Sequence, residues 1–346
     1  MSRSVVRRFA VSFLFVVGTL VVEGQAVSTN CEEIEVALSE THSVSRLERC
    51  GEGTAGPLLW HLDRVDQVGP QLDGWYDRRG GGAGSVVYVM DTGVLAAHGE
   101  FTGANGSRVI AGYDATAGVE IGHSRCTSDN KAVAPCYDNL DELAAASHGT
   151  SVASIAAGSS IGVAPEASVV SIRVMNERGL ATTRTYLDGL DAIIRHAHTQ
   201  DTFRTAVVNI SGWVLERLSS SSSSDRAVVS YATVEKKMRE MIAGVDATGR
   251  PDANGRRFLF VVAANNVDGG CGASGVIDRF PALLGRNVEG MITVGGMTAA
   301  NTSWAGTCRG GVEVLAPAQG IFSASITAID HYRGRRPNQR NGTSFA

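Results

Sequence analysis

Three short motifs carry the side chains that nucleophilic hydrolysis requires. Asp91 begins an Asp-Thr-Gly sequence, His148 lies in Ser-His-Gly-Thr, and Ser344 lies in Asn-Gly-Thr-Ser-Phe-Ala. A serine hydroxyl attacks a carbonyl carbon when an imidazole accepts its proton, and a carboxylate holds that imidazole in the productive tautomer. The glycine and threonine before Ser344 are typical of a sharp turn that presents the hydroxyl and points backbone N–H groups outward. Together the motifs predict a catalytic set in the chain order Asp91, His148, Ser344.

Two alternatives to this catalytic set can be weighed from the sequence: an aspartic protease built on Asp91, and Ser151 as the nucleophile. An aspartic protease also presents its acid in Asp-Thr-Gly, but its chemistry needs two carboxylates that share a proton. The chain contains no second Asp-Thr-Gly and no Asp-Ser-Gly. Ser151 stands in a Gly-Thr-Ser-Val-Ala sequence of the same form as the one around Ser344. Because Ser151 follows His148 by three residues on one predicted helix, its hydroxyl is poorly placed to give that imidazole a proton.

Short apolar runs alternate with helical patterns, and this alternation predicts the elements that position the motifs. The predicted strands are 86–90, 169–174, 206–210, 258–264, 291–294 and 312–315. The predicted helices are 151–158, 186–196 and 231–245. Alternating strands and helices predict an α/β fold: a doubly wound, mostly parallel β-sheet with helices on both faces. Functional side chains in such sheets lie beyond the carboxyl ends of the strands, which is where Asp91 follows its strand.

Further segments extend the resemblance of these motifs to one family. The chain resembles the subtilisin-like serine proteases (subtilases, peptidase S8), and most closely their proteinase K branch. Residues 60–67 look like the opening of the mature domain, and 162–165 resemble the family's segment before the next strand. Residues 208–211 resemble its substrate-binding strand, and 261–266 the strand that ends in the oxyanion asparagine. The resemblance covers roughly residues 57–346 and implies a single subtilisin-like catalytic domain.

The resemblance implies a role for each site residue. Ser344 would be the nucleophile, His148 the general base and Asp91 the residue that orients it, while Asn266 and the Ser344 N–H would bind the oxyanion. The substrate-binding residues would be Ser211, Gly212, Trp213, Ala264 and Asn265. Two of these depart from the family pattern, since Trp213 and Asn265 stand where the family usually has glycine. We expect Asn265 to crowd the pocket for the residue before the cleaved bond, and Trp213 either to reshape a distal subsite or to turn into the loop that follows.

The predicted chemistry uses no cofactor, and a structural calcium ion remains open. In the proteinase K branch an aspartate shortly after the Val-Gly strand binds one ion, whereas Thr298 stands there in this chain. Asp138, Asp141 and Glu142 offer oxygen ligands that suit a hard cation, or they form a solvated acidic loop. The expected binding partners are protein or peptide substrates.

Composition and the N-terminus indicate the compartment. Lysine and arginine number 31 against 35 acidic residues, and this near-neutral balance without a basic block argues against nucleic-acid binding. Residues 1–26 have the basic, apolar and small-residue order of a secretory signal, and the apolar run is too short to span a membrane. We therefore expect a secreted monomer with no membrane attachment after cleavage, a short lead segment at 27–56 and the peptidase domain at 57–346.

Six cysteines fit an oxidising destination. They allow 15 pairings. Nearness in sequence favours Cys31 with Cys50 and Cys126 with Cys136, which leaves Cys271 with Cys308; free thiols are the alternative.

The chain ends two residues after Ser344. The helix that the family places after its nucleophile is therefore missing, and the lead segment is shorter than the family's usual prosegment. We expect a fragment or an incomplete gene model of a serine endopeptidase, with little or no activity as written. The alternative is a pseudoprotease that binds peptides or partners.

Overall fold

A computed structural model describes most of the chain. The described residues are 34–39, 42–46, 59–78, 80–103, 106–121, 148–176, 178–200, 205–215, 229–268, 270–326, 332–333 and 340–346. The predicted signal peptide lies outside these ranges, as do Asp138, Asp141, Glu142 and the cysteines Cys31, Cys50, Cys126 and Cys136.

The first described elements form a small antiparallel sheet. They are the strands Ile34–Ser39 (β1), His42–Arg46 (β2) and Trp75–Arg78 (β3), with the helix Trp60–Asp66 (α1) between β2 and β3 in the chain. Strand β2 pairs with both of the others. The sheet therefore joins residues of the predicted lead segment to residues of the predicted peptidase domain.

The remaining elements follow in chain order. The strands are Ser85–Asp91 (β4), Thr102–Gly103 (β5), Gly106–Ser107 (β6), Val109–Asp114 (β7), Val119–Ile121 (β8), Ser168–Arg173 (β9), Ala181–Thr182 (β10), Thr205–Ile210 (β11), Val214–Leu215 (β12), Phe258–Ala263 (β13), Met291–Met297 (β14), Val314–Pro317 (β15), Ser323–Ala324 (β16) and Tyr332–Arg333 (β17). The α-helices are His148–Ala157 (α2), Thr183–His198 (α3) and Tyr231–Ala243 (α4). Short 3-10 turns include Ala282–Asn287 and Thr343–Phe345.

Eight strands form the central sheet, in the spatial order β15-β14-β13-β11-β4-β9-β7-β8. All neighbours run parallel except β7 and β8. From β4 the chain first places β7, β8 and then β9 on one side of β4, with β9 adjacent to β4, and then crosses to the other side of β4 with β11. The strand order thus reverses between β4 and β11, and their carboxyl ends form the kind of crevice in which α/β proteins bind ligands.

Helices cover both faces of the sheet, as the sequence predicts. Alternate side chains of β4 enter two separate cores, because successive residues of a strand point to opposite faces. Tyr88 and Met90 pack in the core beneath α3 and α4, whereas Val89 packs with Val152 of α2. In the described part of the chain, no helix is both long enough and apolar enough to cross a membrane.

Local capping explains where α3 begins and where α4 begins and ends. Thr182 precedes α3 and forms a reciprocal capping box with Thr185. Ser230 accepts a hydrogen bond from the N–H of Thr233 at the start of α4, and Gly244 ends that helix with a left-handed φ of 72°.

The predicted strands are confirmed, with shifts of a few residues at their ends. The largest difference concerns the run 312–315, which we predict as a buried strand. Strand β15 instead spans Val314–Pro317, and Val314 and Leu315 are 49% and 42% exposed. Among the described strands, β15 is at the edge of the sheet and has a neighbour, β14, on one side only.

Candidate active site

Asp91 is the last residue of β4 and is completely buried. Its Oδ1 accepts a hydrogen bond from the Thr92 N–H at 2.7 Å and lies 2.7 Å from Nδ1 of His148. The Asp91 carbonyl also accepts the Val174 N–H at 2.9 Å, which ties the end of β4 to the segment after β9. Burial raises the pKa of the Tyr186 hydroxyl above its usual range, and the charge of Asp91 adds a smaller effect in the same direction. Oδ1 and the backbone thus hold Asp91 at the carboxyl edge of the sheet, while Oδ2 has no hydrogen-bond partner among the described residues.

His148 begins α2, and a glycine allows that helix to reach Asp91. A Cβ on Gly149 would lie 2.2 Å from the Gly93 carbonyl oxygen, closer than real Cβ atoms approach other atoms, and 3.0 Å from Cβ of Asp91. The Gly149 N–H donates to Oγ1 of Thr92 at 3.0 Å. The His148 side chain remains 18% exposed, so its ring joins the buried acid to the open cleft.

Ser344 lies in the turn Thr343–Phe345, directly after Gly342, whose φ of 152° favours glycine. Its Oγ donates to the Ser211 carbonyl at 3.1 Å, and Oγ of Ser211 donates to the Ser344 carbonyl at 3.0 Å. The buried ring of Phe345 packs 5.4 Å from the His148 ring, measured between centroids. These contacts hold the serine between the end of β11 and α2.

The side-chain amide of Asn266 is oriented by the residue before Ser344. Oδ1 of Asn266 accepts hydrogen bonds from the Thr343 N–H at 3.0 Å and from Oγ1 of Thr343 at 3.1 Å. Because these hydrogen bonds fix the amide oxygen of Asn266, they also fix the direction of its donor group, Nδ2. An N–H donor beside the turn of Ser344 is the chemistry that stabilises an oxyanion.

The segment after β13 forms one side of the cleft, which we call the amide wall. It consists of Asn265, Asn266, Asp268 and Gly270. Its backbone is paired with a neighbouring segment: the Asn265 carbonyl accepts the Cys308 N–H at 3.0 Å, and the Gly306 carbonyl accepts the Val267 N–H at 2.9 Å. The position of the wall therefore depends on the segment 306–308.

A disulfide fastens the end of the amide wall. Cys271 and Cys308 are bonded, with their Cα atoms 5.7 Å apart. This confirms one of the three predicted pairings. The other four cysteines lie outside the described residues.

The cleft between these elements has a volume of about 340 Å³. Its lining residues are Thr92, His148, Met175, Arg178, Gly179, Ser211, Gly212, Trp213, Asn265, Asn266, Asp268, Gly270 and Ser344. The structure thus brings together the predicted site residues at one cleft, with Asp91 buried behind His148. Ala264 lies apart from them, fully buried in the core under α3 and α4, with its N–H donated to the Val294 carbonyl.

Trp213 is half-buried in the cleft and lies against a cation. The guanidinium carbon of Arg279 is 5.3 Å from the centroid of the Trp213 ring. An arginine over an aromatic face is attracted by the ring's quadrupole. The contact is consistent with both predictions for Trp213, because it shapes the cleft at the point where the chain turns after β11.

Sequence reasoning did not identify several of the lining residues. Met175, Arg178 and Gly179 follow β9, and Thr92 follows β4. The available signal was positional, since each lies within five residues after a predicted strand, at the edge of the sheet that carries function. Ser151, the rejected alternative nucleophile, donates its hydroxyl to the Ala324 carbonyl at 2.8 Å and is fully buried.

The sequence leaves a structural calcium ion open. In the described part of the chain, no three histidine, cysteine or acidic side chains are grouped as a metal site requires. Oγ1 of Thr298 is 2.8 Å from Oγ1 of Thr302, a hydrogen bond between two hydroxyls. The acidic residues of the predicted alternative site, Asp138, Asp141 and Glu142, are not among the described residues.

Comparison with known proteins adds independent information. The sequence model described as the Subtilase family (Peptidase S8) matches residues 82–346. The chain is 30% identical to an "Extracellular serine proteinase" of Thermus sp. (strain Rt41A), over 95% of this chain and 64% of that protein. It is 29% identical to "Subtilisin-like protease 3" of Pseudogymnoascus destructans, over 78% of this chain and 53% of that protein. The chain thus spans less than two thirds of the length of either relative.

A solved structure shares the fold. The crystal structure of a cold adapted subtilisin-like serine proteinase matches with a TM-score of 0.56 and 24% sequence identity, covering 83% of this chain and 80% of that one. The predicted fold class is confirmed.

Proposed function

Because this chain belongs to the Subtilase family, we propose that it is a serine endopeptidase with Ser344 as its nucleophile. The observation that carries the proposal is the arrangement of four groups around one cleft. Oδ1 of the buried Asp91 lies 2.7 Å from Nδ1 of His148. The cleft is lined by His148 together with Ser344 and Asn266. A general base, a nucleophile and an oxyanion donor are the parts that acyl transfer requires.

The proposed reaction begins at the Ser344 hydroxyl. Oγ forms a bond to the carbonyl carbon of a peptide while His148 accepts the hydroxyl proton at Nε2. Asp91 stabilises the resulting imidazolium through Nδ1, and the carbonyl oxygen becomes an oxyanion that the Asn266 amide and the Ser344 N–H stabilise. The carbon–nitrogen bond then breaks as the imidazolium returns its proton to the leaving amine. Water repeats the sequence to release the acyl group and restore Ser344.

The hydrogen bond from Ser344 to Ser211 gives the resting position of the nucleophile. Oγ donates to the Ser211 carbonyl at 3.1 Å, and we propose that for attack the hydroxyl turns its proton from this carbonyl toward the imidazole. Ser211 lies directly after β11, and we propose that the segment Ser211–Trp213 pairs with the substrate backbone as an added strand. The proposed chemistry uses only protein groups and water.

A serine-directed fluorophosphonate tests the proposal directly. We expect it to add to the protein once, at Ser344, as read by intact mass and peptide mapping. Because little activity is expected of the 346 residues as written, the protein is tested both as these residues and with the chain continued beyond Ala346, and we expect the continued form, unlabelled, to cleave casein. Ser344→Ala should abolish both. Ser151→Ala is the matched control, because that serine stands in a sequence of the same form but its hydroxyl is buried. Labelling at another serine, or no labelling in a folded chain, contradicts the proposal, and the second outcome favours a peptide-binding role.

We further propose that the protein is secreted after cleavage of residues 1–26. The support is the order of basic, apolar and small residues in this segment, together with the description of the Thermus relative as extracellular. N-terminal sequencing of the protein from the medium of an expressing culture tests this. A protein retained in the cells with its N-terminus intact contradicts it.

A further inference from the structure

One residue of the amide wall has an unusual backbone conformation for its type. Asn265 has a φ of 69°, in the left-handed region where glycine is the least strained residue. Asparagine tolerates this region better than most residues, but glycine would fit without strain. The backbone conformation at this position therefore does not account for an asparagine in place of glycine.

The Asn265 side chain also leaves a polar group unpaired. The residue is only 6% exposed, and its Nδ2 is buried without a hydrogen-bond partner among the described residues. Buried amide groups in folded proteins are nearly always hydrogen-bonded, and an unpaired one is costly. A donor in the lining of a cleft can be paired by a ligand, and rotation about the soft χ2 of asparagine turns its amide toward that ligand.

The surroundings hold Asn265 in place. Its carbonyl is fixed by the Cys308 N–H at 3.0 Å. A Cβ added to Gly270 would lie 3.1 Å from Cβ of Asn265 and 2.8 Å from the Asn266 carbonyl oxygen, so the wall closes tightly behind this side chain. The Asn265 side chain therefore stays in the amide wall and occupies volume of the cleft that glycine would leave open.

The position of Asn265 identifies the part of a substrate that it meets. Its neighbour Asn266 and the turn of Ser344 bind the carbonyl group of the cleaved bond in the proposed function. That carbonyl belongs to the residue before the cleaved bond, so the side chain of this residue lies nearest to Asn265. Among the described lining residues, Asp268 is anionic and Arg178 is cationic, so these residues favour neither sign of charge.

We propose that Asn265 determines specificity for the residue before the cleaved bond, by narrowing its pocket and by donating a hydrogen bond to a short, uncharged side chain that carries an accepting oxygen. Asparagine is the representative substrate residue. Leucine has nearly the same shape but no acceptor, and phenylalanine is too large. This inference rests on the proposed function.

Two variants and one control test the inference with peptide anilides that differ only in the residue before the anilide. Asn265→Gly removes the side chain without backbone strain, and Asn265→Asp keeps its size but replaces the donor. Asn301→Gly is the matched control, because Asn301 also has a positive φ, of 57°, but is exposed and outside the lining of the cleft. The measured quantity is kcat/KM for asparagine, leucine and phenylalanine substrates.

We expect the wild type to prefer asparagine over leucine and to cleave the phenylalanine substrate poorly. The asparagine-to-leucine ratio should fall about tenfold in both Asn265 variants, since the donor is lost. Only Asn265→Gly should gain activity on phenylalanine, because only that change opens space. Ratios within twofold of wild type in both variants overturn the inference.

Labelling of Ser344 by the fluorophosphonate separates this inference from the proposed function. A labelled chain whose substrate ratios do not respond to either variant overturns the specificity role alone. A folded wild-type chain that neither labels nor cleaves overturns both.

Discussion

The two sides of the cleft are built in different ways. On one side Asp91 and His148 are fixed by direct contacts, with Oδ1 of the acid held by the Thr92 N–H and α2 docked against β4 through Gly149. On the other side the amide wall contains a residue with positive φ, Asn265, whose Nδ2, like Oδ2 of Asp91 on the first side, is buried without a partner among the described residues. The wall is held mainly through its backbone, by pairing with 306–308 and by the Cys271–Cys308 disulfide.

This difference separates two tasks. Moving a proton between fixed groups tolerates little displacement, because an error of about 1 Å in a catalytic group costs about 10²-fold in rate. Recognition of a side chain instead depends on which groups line a pocket, and a wall held by its backbone accepts changes of side chain. The comparison predicts that substitutions at the Asp91–His148 side reduce kcat for every substrate, whereas changes at Asn265 redistribute kcat/KM among substrates.

The largest effect is expected from Asp91→Asn. An amide in place of the carboxylate stabilises the wrong tautomer of His148, and the same change in a Ser-His-Asp triad reduces kcat by about 10⁴-fold. We expect that loss with KM nearly unchanged, measured with peptide anilides. Asp188→Asn, on the exterior of α3 in an ion pair with Arg184, is the control and should retain activity. A loss below tenfold would mean that Asp91 does not orient the base.

Asn266→Ala should follow, with a loss of about 10²–10³-fold in kcat from removal of an oxyanion donor. This tests whether the amide wall contributes to chemistry as well as to recognition. Asn287→Ala, at an exposed asparagine outside the lining of the cleft, is the control. An equal loss of kcat/KM that lies entirely in KM would assign Asn266 to substrate binding instead.

Gly149→Ala should reduce kcat by about 10²-fold, because the new Cβ meets the Gly93 carbonyl at 2.2 Å and must push His148 away from Asp91. Gly69→Ala is a matched control, since nothing lies within 4 Å of a Cβ there. Kinetics and thermal unfolding of both variants measure the effect. Wild-type kcat in Gly149→Ala would show that the Asp91–His148 side is less constrained than its geometry indicates.

The smallest effect concerns stability near α2. Nε2 of His61 donates to the Ile161 carbonyl at 2.9 Å, and its Nδ1 is buried without a described partner. Burial lowers the pKa of His61 from 6.5 to about 4, against an opposing effect of the Ile161 carbonyl. Since the unfolded chain binds this proton more readily, stability is complete above about pH 6.5 and is lost as the pH falls toward 4, by at most about 3 kcal/mol.

His61→Gln should therefore flatten the dependence of the unfolding free energy on pH between 4 and 6.5, as measured in urea. His198→Gln is the control, because His198 is about half exposed and paired with Asp252. If His61→Gln follows the wild-type pH dependence, the histidine does not couple protonation to the packing of this side.

Much of the fold could be predicted because its signals are local. The run 86–90 is apolar throughout and ends at Asp91, so both the strand and its functional end are visible in the sequence. The small residues beside His148 indicate that another segment approaches there. The exposure of β15 could not be predicted in this way, because an edge strand and a central strand have similar sequences and differ only in their neighbours.

The candidate site was predicted less completely for a related reason. The hydrogen bond between Ser344 and the Ser211 carbonyl, the stacking of Arg279 on Trp213, and the burial of Ala264 depend on atoms from separate segments. No pattern in one segment specifies them. The departure at Asn265 is visible in the sequence, but its unpaired amide is not.

By itself the sequence determined the types, order and local conformations of the catalytic candidates, since strand and helix periodicity and turn residues act over a few positions. Tertiary structure alone decided which atoms meet. His148 and Asp91 are 57 residues apart, and Ser344 and Ser211 are 133 apart. Such distant groups come together only when the whole sheet and both cores form, because the packing of many residues must offset the entropy of closing these loops.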